Sequence, residues 1–241
     1  MSGFPGGTAV SIVSVYDWPT ADGQAGGSPH LHTASTEGYV VSRGTGAVET
    51  LSGDGYRRHA LERGTVLWFT PGTVHRLING SGDLELTVVM QNAGLPEAGD
   101  AVLTYPPDTL DDPEAYAAVT RAPAAPDLTE DERAEAARAR RDLAVEGYLA
   151  LRERVESEGA SAMEPLWDAA ARIVSGRVET WRGLWEAGPR AQVEATGGHL
   201  TALAAADPAH LGDSHVSDGG GPAHRWGMCG RLEAWDLRPR E

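Results

Sequence analysis

The sequence contains no lysine, and its 20 basic residues are all arginine. We read this as compositional bias with no functional weight. Against 35 acidic residues the arginines leave a formal net charge of −15. That excess argues against a nucleic-acid partner, because phosphate backbones are held by clustered Lys and Arg. Only one cysteine is present, Cys229. An internal disulfide is thereby excluded, and a reducing, cytoplasmic setting is expected. No apolar run approaches the roughly 20 residues of a membrane-spanning helix, so no membrane partner is expected. Met1–Gly7 has neither the basic nor the apolar part of a secretory leader, and none is expected. What is present is a 241-residue chain with 41% hydrophobic residues, enough for one or two domains with a real core.

The chain is organised around Pro29-His30-Leu31-His32-Thr33-Ala34-Ser35-Thr36-Glu37, answered downstream by Pro71-Gly72-Thr73-Val74-His75. His30 and His32 are alternate residues, so on a strand both imidazoles share one face. Thr33–Thr36 is long enough for a turn into a neighbouring strand that begins at Glu37. His75 follows a Pro-Gly turn and opens another short strand. Folded into one small barrel, His30, His32, Glu37 and His75 can converge as three nitrogen ligands and one oxygen ligand. Such a set suits Fe, Mn, Ni, Zn or Co as the divalent ion, and ligand type does not choose among them. On an octahedral metal it leaves positions open for water or substrate.

The run His30-x-His32-x4-Glu37-x6-Gly44 resembles the first motif of the cupin superfamily. The glycine that usually opens that motif falls on Gln24, with Gly23, Gly26 and Gly27 close by. Gly64-x6-Pro71-Gly72-x2-His75-x3-Asn79 resembles the second motif, with its proline one place late. That departure touches the turn and not the ligand. The resemblance spans about residues 8–105. It implies a mainly β fold, the double-stranded β-helix or jelly-roll barrel, with a metal at those four residues. It further implies a small-molecule ligand in the barrel and a homodimer. Cupins include dioxygenases, isomerases, epimerases, sensors and storage proteins, so the resemblance leaves the reaction open.

The rest of the barrel reads from alternation. Strands are expected at Thr8–Trp18, the histidine pair, Glu37–Arg43, Thr45–Leu51, Tyr56–Leu61, Val66–Phe69, His75–Asn79 and Leu84–Gln91, about eight in all. The hairpin at Ser52–Gly55 rests on Asp54-Gly55, because glycine accepts the positive φ that a tight turn needs. Counting from Glu37, the inward set is Tyr39, Val41 and Arg43. Tyr39 is the candidate catalytic residue, a hydroxyl able to bond a ligand; its alternative is a buried aromatic. Trp68 and Phe69 face opposite ways, so one can wall the cavity. Gln91 is a candidate for its rim.

Ala93–Ala125 is rich in proline and acid and reads as irregular, with a short helix at Asp112–Val119. The expected division is a barrel at 1–105, a Pro-rich connection at 106–126, a helical subdomain at 127–206 and a tail at 207–241. Thr129-Glu130-Asp131-Glu132 is a capping box that opens a helix to about Glu156, with Leu143, Tyr148, Leu151 and Val155 as its apolar stripe. Ser161-x-x-Glu164 opens a second. Trp167, Ala171, Val174, Val178, Trp181 and Trp185 then recur at helical steps as one continuous face, read as core. Gly188-Pro189 is expected to end that helix, and another follows to about Ala206, interrupted at Gly197-Gly198. The tail gathers His210, Asp213, His215, Asp218 and His224 around Gly219–Gly221. It reads as a polar loop, with a second metal site or a flap over the barrel as alternatives. A last strand is expected near Arg231–Leu237, at a sheet edge.

The expected function is a metal-dependent enzyme, a small-molecule oxidoreductase of dioxygenase type. This leaning rests on the barrel motifs offering no second carboxylate base. The alternatives are a sugar-type isomerase using Tyr39 or a tail histidine as base, a non-catalytic binding or sensing cupin, and a structural dimer with a vestigial site.

Overall fold

The computed structural model describes residues 3–238. Two antiparallel sheets face each other. The strands are β1 (Ala9–Val15), β2 (His30–His32), β3 (Glu37–Arg43), β4 (Thr45–Ser52), β5 (Gly55–Glu62), β6 (Val66–Phe69), β7 (Val74–Asn79), β8 (Glu85–Met90), β9 (Ala101–Leu103), β10 (Ala223–Trp226) and β11 (Gly230–Ala234). One sheet has the order β10-β11-β1-β8-β3-β6, the other β5-β4-β7-β2-β9. This is the expected jelly-roll barrel. The eight expected strands are present, several ending a few residues from their expected bounds. β1 ends at Val15, and beyond it Tyr16 and Trp18 stack with ring centroids 4.1 Å apart.

Three strands lay outside that expectation or were differently placed. β9 arises within the stretch read as irregular and pairs Leu31 with Val102. At three residues it is too short to show alternation. The final strand does not form a sheet edge: β11 pairs with β1, Ser11 opposite Ala234, and β10 lies outside it. The segment around 223–234 is thus part of the barrel sheet.

The helices are α1 (Pro107–Leu110), α2 (Pro113–Arg121), α3 (Glu130–Glu158), α4 (Glu164–Val174), α5 (Val178–Trp185) and α6 (Ala191–Ala204). α3 starts where the capping box places it. Thr129 N donates to Glu132 Oε2 at 2.8 Å, and Glu132 N donates to Thr129 Oγ1 at 3.3 Å. Its packed face differs from the expected stripe. Tyr148 and Val155 are buried, but so are Arg140 and Arg141, while Leu143 and Leu151 are half-buried.

The five-stranded sheet separates two apolar cores. Inside the barrel lie Val13, Val41, Val48, Leu77, Leu86 and Met90. On the sheet's outer side Leu31, Leu51 and Val74 meet Tyr148, Met163 and Leu166 of the helical layer. This explains why every residue of β7 is buried: odd positions face the barrel and even ones face helices. The polar member of the outer side is Glu49, which accepts from Tyr148 Oη at 3.1 Å, Tyr56 Oη at 3.0 Å and Arg58 at 2.7 Å. A buried carboxylate is tolerable only with such partners.

The tryptophan face is not continuous. α4 ends at Val174, a 3-10 turn covers Ser175–Arg177, and α5 resumes at Val178. Gly176, with its low helix propensity, sits in that break. The turn rotates the stripe, so Trp181 is buried while Val178 and Trp185 are 41% and 39% exposed. Pro189 does not stop the chain's helical course either. It lies in a π turn at Glu186–Arg190 that leads straight into α6. The wider turn removes the clash of the proline ring with the carbonyl four residues back. α6 also runs unbroken through Gly197 and Gly198, since glycine lowers helix stability without forbidding helix geometry. Ser161 caps nothing; a short 3-10 turn at Ala160–Met163 feeds α4 instead.

Candidate metal centre

Strand pairing brings the four expected ligands together. His30 on β2 lies directly opposite His75 on β7. His32 follows on the same face of β2. Glu37 opens β3 on the facing sheet, opposite Phe69 and Met90. All four side chains are buried in the barrel, and one donor atom from each lies within 4.8 Å of the others. Glu37 Oε2 is 3.1 Å from His32 Nε2 and 2.9 Å from His75 Nε2, and His30 Nε2 is 3.1 Å from His75 Nε2. Phe69 stacks on His75 with centroids 4.3 Å apart and walls the site on that side.

The outer nitrogens show what the inner ones present. His30 Nδ1 meets the Ser28 carbonyl at 2.9 Å, and His75 Nδ1 meets the Thr73 carbonyl at 3.2 Å. A carbonyl only accepts, so each Nδ1 carries the ring hydrogen in the neutral form. The two Nε2 atoms then point lone pairs at each other across 3.1 Å. Glu37 Oε2, also buried, has no hydrogen-bond partner of good geometry. Lone pairs and a carboxylate crowded in a dry space repel unless a cation is shared among them. Three imidazole nitrogens and one carboxylate oxygen with that need fit a divalent transition metal.

Asp100 completes the arrangement behind His32. It is fully buried, and its Oδ2 faces His32 Nδ1 at 3.4 Å. Its Oδ1 accepts from Thr33 N at 2.8 Å, Ala34 N at 2.7 Å and Thr33 Oγ1 at 2.6 Å. Carboxylates and carbonyls behind metal-binding histidines fix ring orientation and raise ligand basicity.

The electrostatics follow the geometry. Burial and the neighbouring His75 and His32 push His30 well below its ordinary value. Burial alone would lower His32 too, but Asp100 and Glu37 outweigh it and raise it to about 9. Burial would raise Glu37, yet His75 and His32 hold it well below the ordinary carboxylate range. Asp100 is likewise held low, burial being outweighed by His32 and Thr33.

Tyr39 points into the barrel as expected, its ring centroid 6.3 Å from that of His75. Its hydroxyl is buried without a hydrogen-bond partner of good geometry. Burial, the Glu37 charge and the Cys229 thiol raise its pKa well above that of a free tyrosine. It therefore stays protonated at neutral pH, a donor and not a base. Arg43 does not follow Val41 inward. The β3–β8 register shifts between Val41 and Arg43, and this bulge turns Arg43 out to bond Glu85 at 3.2 Å. Gln91 is exposed and accepts from Thr36 N at 3.3 Å, away from the cavity. His210, His215 and His224 do not line the cavity; His224 faces Glu233 at 4.0 Å, and His210 stacks on His199.

Three residues that shape the site were not anticipated. Asp100 sits in an acid-rich stretch without periodicity. Arg140 sits in a helix read only for its capping box and apolar stripe; the signal was its place on the face of Ala137, Ala144 and Tyr148. Cys229 had no pattern at all. The loop between β10 and β11 brings Met228 and Cys229 into a cavity of about 300 Å³ beside His30, His32 and Glu37. Gly27 permits this approach, since a Cβ there would lie 2.7 Å from Cys229 Cα.

Residues 20–90 match the Cupin_2 family, described as a cupin domain. A search of curated proteins gave no match. Among solved structures, the chain is similar to the TDP-fucose-3,4-ketoisomerase WlaRA of Campylobacter jejuni at 16% identity and a TM-score of 0.31. That overlap covers 38% of this chain and 64% of the ketoisomerase, so the chain spans less than two thirds of that relative. It is also similar to the Streptomyces protein Pac13 with uridine, at 17% identity and a TM-score of 0.31, covering 41% of this chain and 69% of Pac13. A Klebsiella pneumoniae protein with a double-stranded β-helix domain shows 20% identity and a TM-score of 0.28, covering 36% and 68%. With its two facing sheets and the family match at residues 20–90, the barrel of this chain is a cupin domain.

Proposed function

We propose that this protein is a metal-dependent cupin enzyme acting on a small molecule held in the barrel cavity, with His30, His32, Glu37 and His75 as metal ligands. The observation that carries the reading is the set of Nε2 lone pairs and one unpartnered carboxylate oxygen turned toward a common point. A divalent ion bound there supplies Lewis acidity or, if it is iron, redox chemistry. The protein's own groups do the rest. Ser28, Thr73 and Asp100 hold the imidazole rings in orientation. Phe69, Leu77, Val88 and Met90 keep water out. Tyr39 presents a proton-bearing hydroxyl to an oxygen of the substrate.

We favour an oxidoreductase of dioxygenase type. Besides Glu37, the carboxylate lining the cavity is Glu97, and it is engaged by Gly94 N at 2.8 Å. That bond holds one of its two oxygens, which weighs against Glu97 as a base. The second reading is an isomerase with Tyr39 as its acid, favoured by the unpartnered hydroxyl beside Glu37. In both readings the helices of 127–206 act as a cover for the barrel's outer side, with α3 also reaching the cavity.

Metal analysis tests the shared part. The purified protein should bind close to one equivalent of divalent metal, and His75→Ala should bind under a tenth of that with its fold intact. Stoichiometric metal in the variant would remove the assignment. Oxygen consumption by the Fe(II)-loaded protein, screened over carboxylic acids, phenols and thiols, separates the two readings. Substrate turnover without oxygen uptake would favour the isomerase.

A further inference from the structure

The cavity is lined by two arginines, and neither pairs with a carboxylate among the described residues. Arg140 reaches it from α3 and Arg225 from β10. Arg140 is 6% exposed. Its Nη2 donates to the backbone carbonyls of Trp226, at 3.3 Å, and Gly227. Its Nε is buried without a partner. Three arginines are buried among the described residues, and of these Arg76 and Arg141 have carboxylate partners while Arg140 has none. Elsewhere arginines do find acids: Arg76 bonds Asp22 at 2.7 Å and Arg58 bonds Glu49 at 2.7 Å. A guanidinium cannot shed its charge, so burial without a counter-ion is costly. The arrangement makes sense if the counter-ion arrives with the ligand.

We propose that the molecule bound in the barrel carries a carboxylate, which Arg140 binds, with Arg225 reinforcing the field at the cavity's exposed side. This rests on the reading of the barrel cavity as the substrate site and adds the substrate's charge. Most of the remaining wall is apolar, with Val13, Leu77, Val88, Met90 and Met228, and its polar members include Ser11 and Glu97. At about 300 Å³ the space suits a compact molecule with one charged end and an apolar body. A planar carboxylate matches the flat fork of a guanidinium, and a charge-assisted bond formed in a dry site is strong. The anion would then sit toward α3 and the β10–β11 loop, leaving the apolar body to lie toward the imidazoles. The ligand's orientation is thereby fixed without using the ligand positions of the metal.

Benzoate and benzamide are the probes, being alike in shape and different in charge. Their binding is measured by titration calorimetry on chelator-stripped protein and again on Zn(II)-loaded protein. In the stripped protein a carboxylate has no metal to bind, and comparison with Arg140→Met separates the arginine from any other cation of the cavity. Benzoate should bind at least tenfold more tightly than benzamide in both forms. Arg140→Met should lose at least tenfold for benzoate and little for benzamide. A merely structural role would weaken both probes alike. Arg225→Met should cost benzoate two- to fivefold. Should Arg140→Met fail to fold, Arg140→Lys keeps the charge and should retain the preference for benzoate; equal binding of the two probes by that variant counts against the proposal. Equal or absent binding of benzoate by the parent overturns it, as does inorganic phosphate binding as tightly as benzoate. Failure of the metal reading would show separately, as absent zinc uptake beside intact discrimination in the stripped protein.

Discussion

Replacing Asp100 by asparagine should weaken metal binding through a residue that touches no metal. Asparagine keeps an oxygen where Oδ1 accepts from Thr33 and Ala34, so the local turn survives. It replaces Oδ2, 3.4 Å from His32 Nδ1, with an amide that can only donate. Two donors then face each other, and His32 must rotate or shift its hydrogen to Nε2, the atom turned toward the site. Losing such a supporting carboxylate typically costs 10- to 100-fold in metal affinity, or about 1.4–2.8 kcal/mol. The pH chosen matters. In the metal-free parent His32 is raised to about 9 and is protonated at pH 7, so an incoming metal must displace that proton. The parent's apparent affinity should rise about tenfold per pH unit between 7 and 9. The asparagine variant, without the partner that raises His32, should show a much flatter dependence. The full deficit therefore appears near pH 9 and narrows at pH 7. The assay is competition for Zn(II) against a chromophoric chelator at pH 7, 8 and 9. A variant within threefold of the parent at pH 9, or a parent affinity flat across this range, would refute the reasoning.

Further expectations follow from the same structure. The metal-free protein should lose stability as pH rises from about 6.5 to about 9, because a raised histidine pKa stabilises below the unfolded value and that contribution disappears through the folded one. The loss is at most about 3 kcal/mol, and thermal melts of the Zn(II)-loaded protein should not show it. Gly147→Ala should destabilise by about 3 kcal/mol, since its Cβ would lie 2.2 Å from the Thr104 carbonyl oxygen. Gly198→Ala, with no neighbour within 4 Å, should instead gain up to about 1 kcal/mol. Urea unfolding of the two variants reads both signs, and a stabilised Gly147→Ala would contradict the close approach of α3 to the Thr104 carbonyl. Burial pushes the Cys229 thiol well above its ordinary pKa, so a disulfide reagent should label the native protein at least a hundredfold more slowly than the unfolded one.

The barrel was legible because its information is local. His30 and His32 share a face by strand geometry, and the turns at Asp54-Gly55 and Pro71-Gly72 are written in the residues that make them. Whether Glu37 and His75 would reach the same point depended on a pairing that no short window contains, and the cupin resemblance supplied it. Arg43 was misplaced because one bulge reverses the alternation, and no residue type at Ser42 announces a bulge. Asp100 and Cys229 escaped because each reaches the site from a loop or short strand whose position is set by long-range packing. The tryptophan face was readable as helical but not as broken, since the 3-10 turn at Ser175–Arg177 keeps nearly the same hydrophobic spacing.

The pairing of β1 with β11 has a consequence for biosynthesis. Ser11 leaves the ribosome early and its partner Ala234 very late. At roughly 5–20 residues per second, the interval between completing β8 and emitting β11 is about 7–29 seconds. During it the nascent chain already owns all three histidines and the glutamate, while one flank of the pocket is still bare. An ion arriving in that interval would meet the four side chains before the β11 side of the barrel sheet is in place.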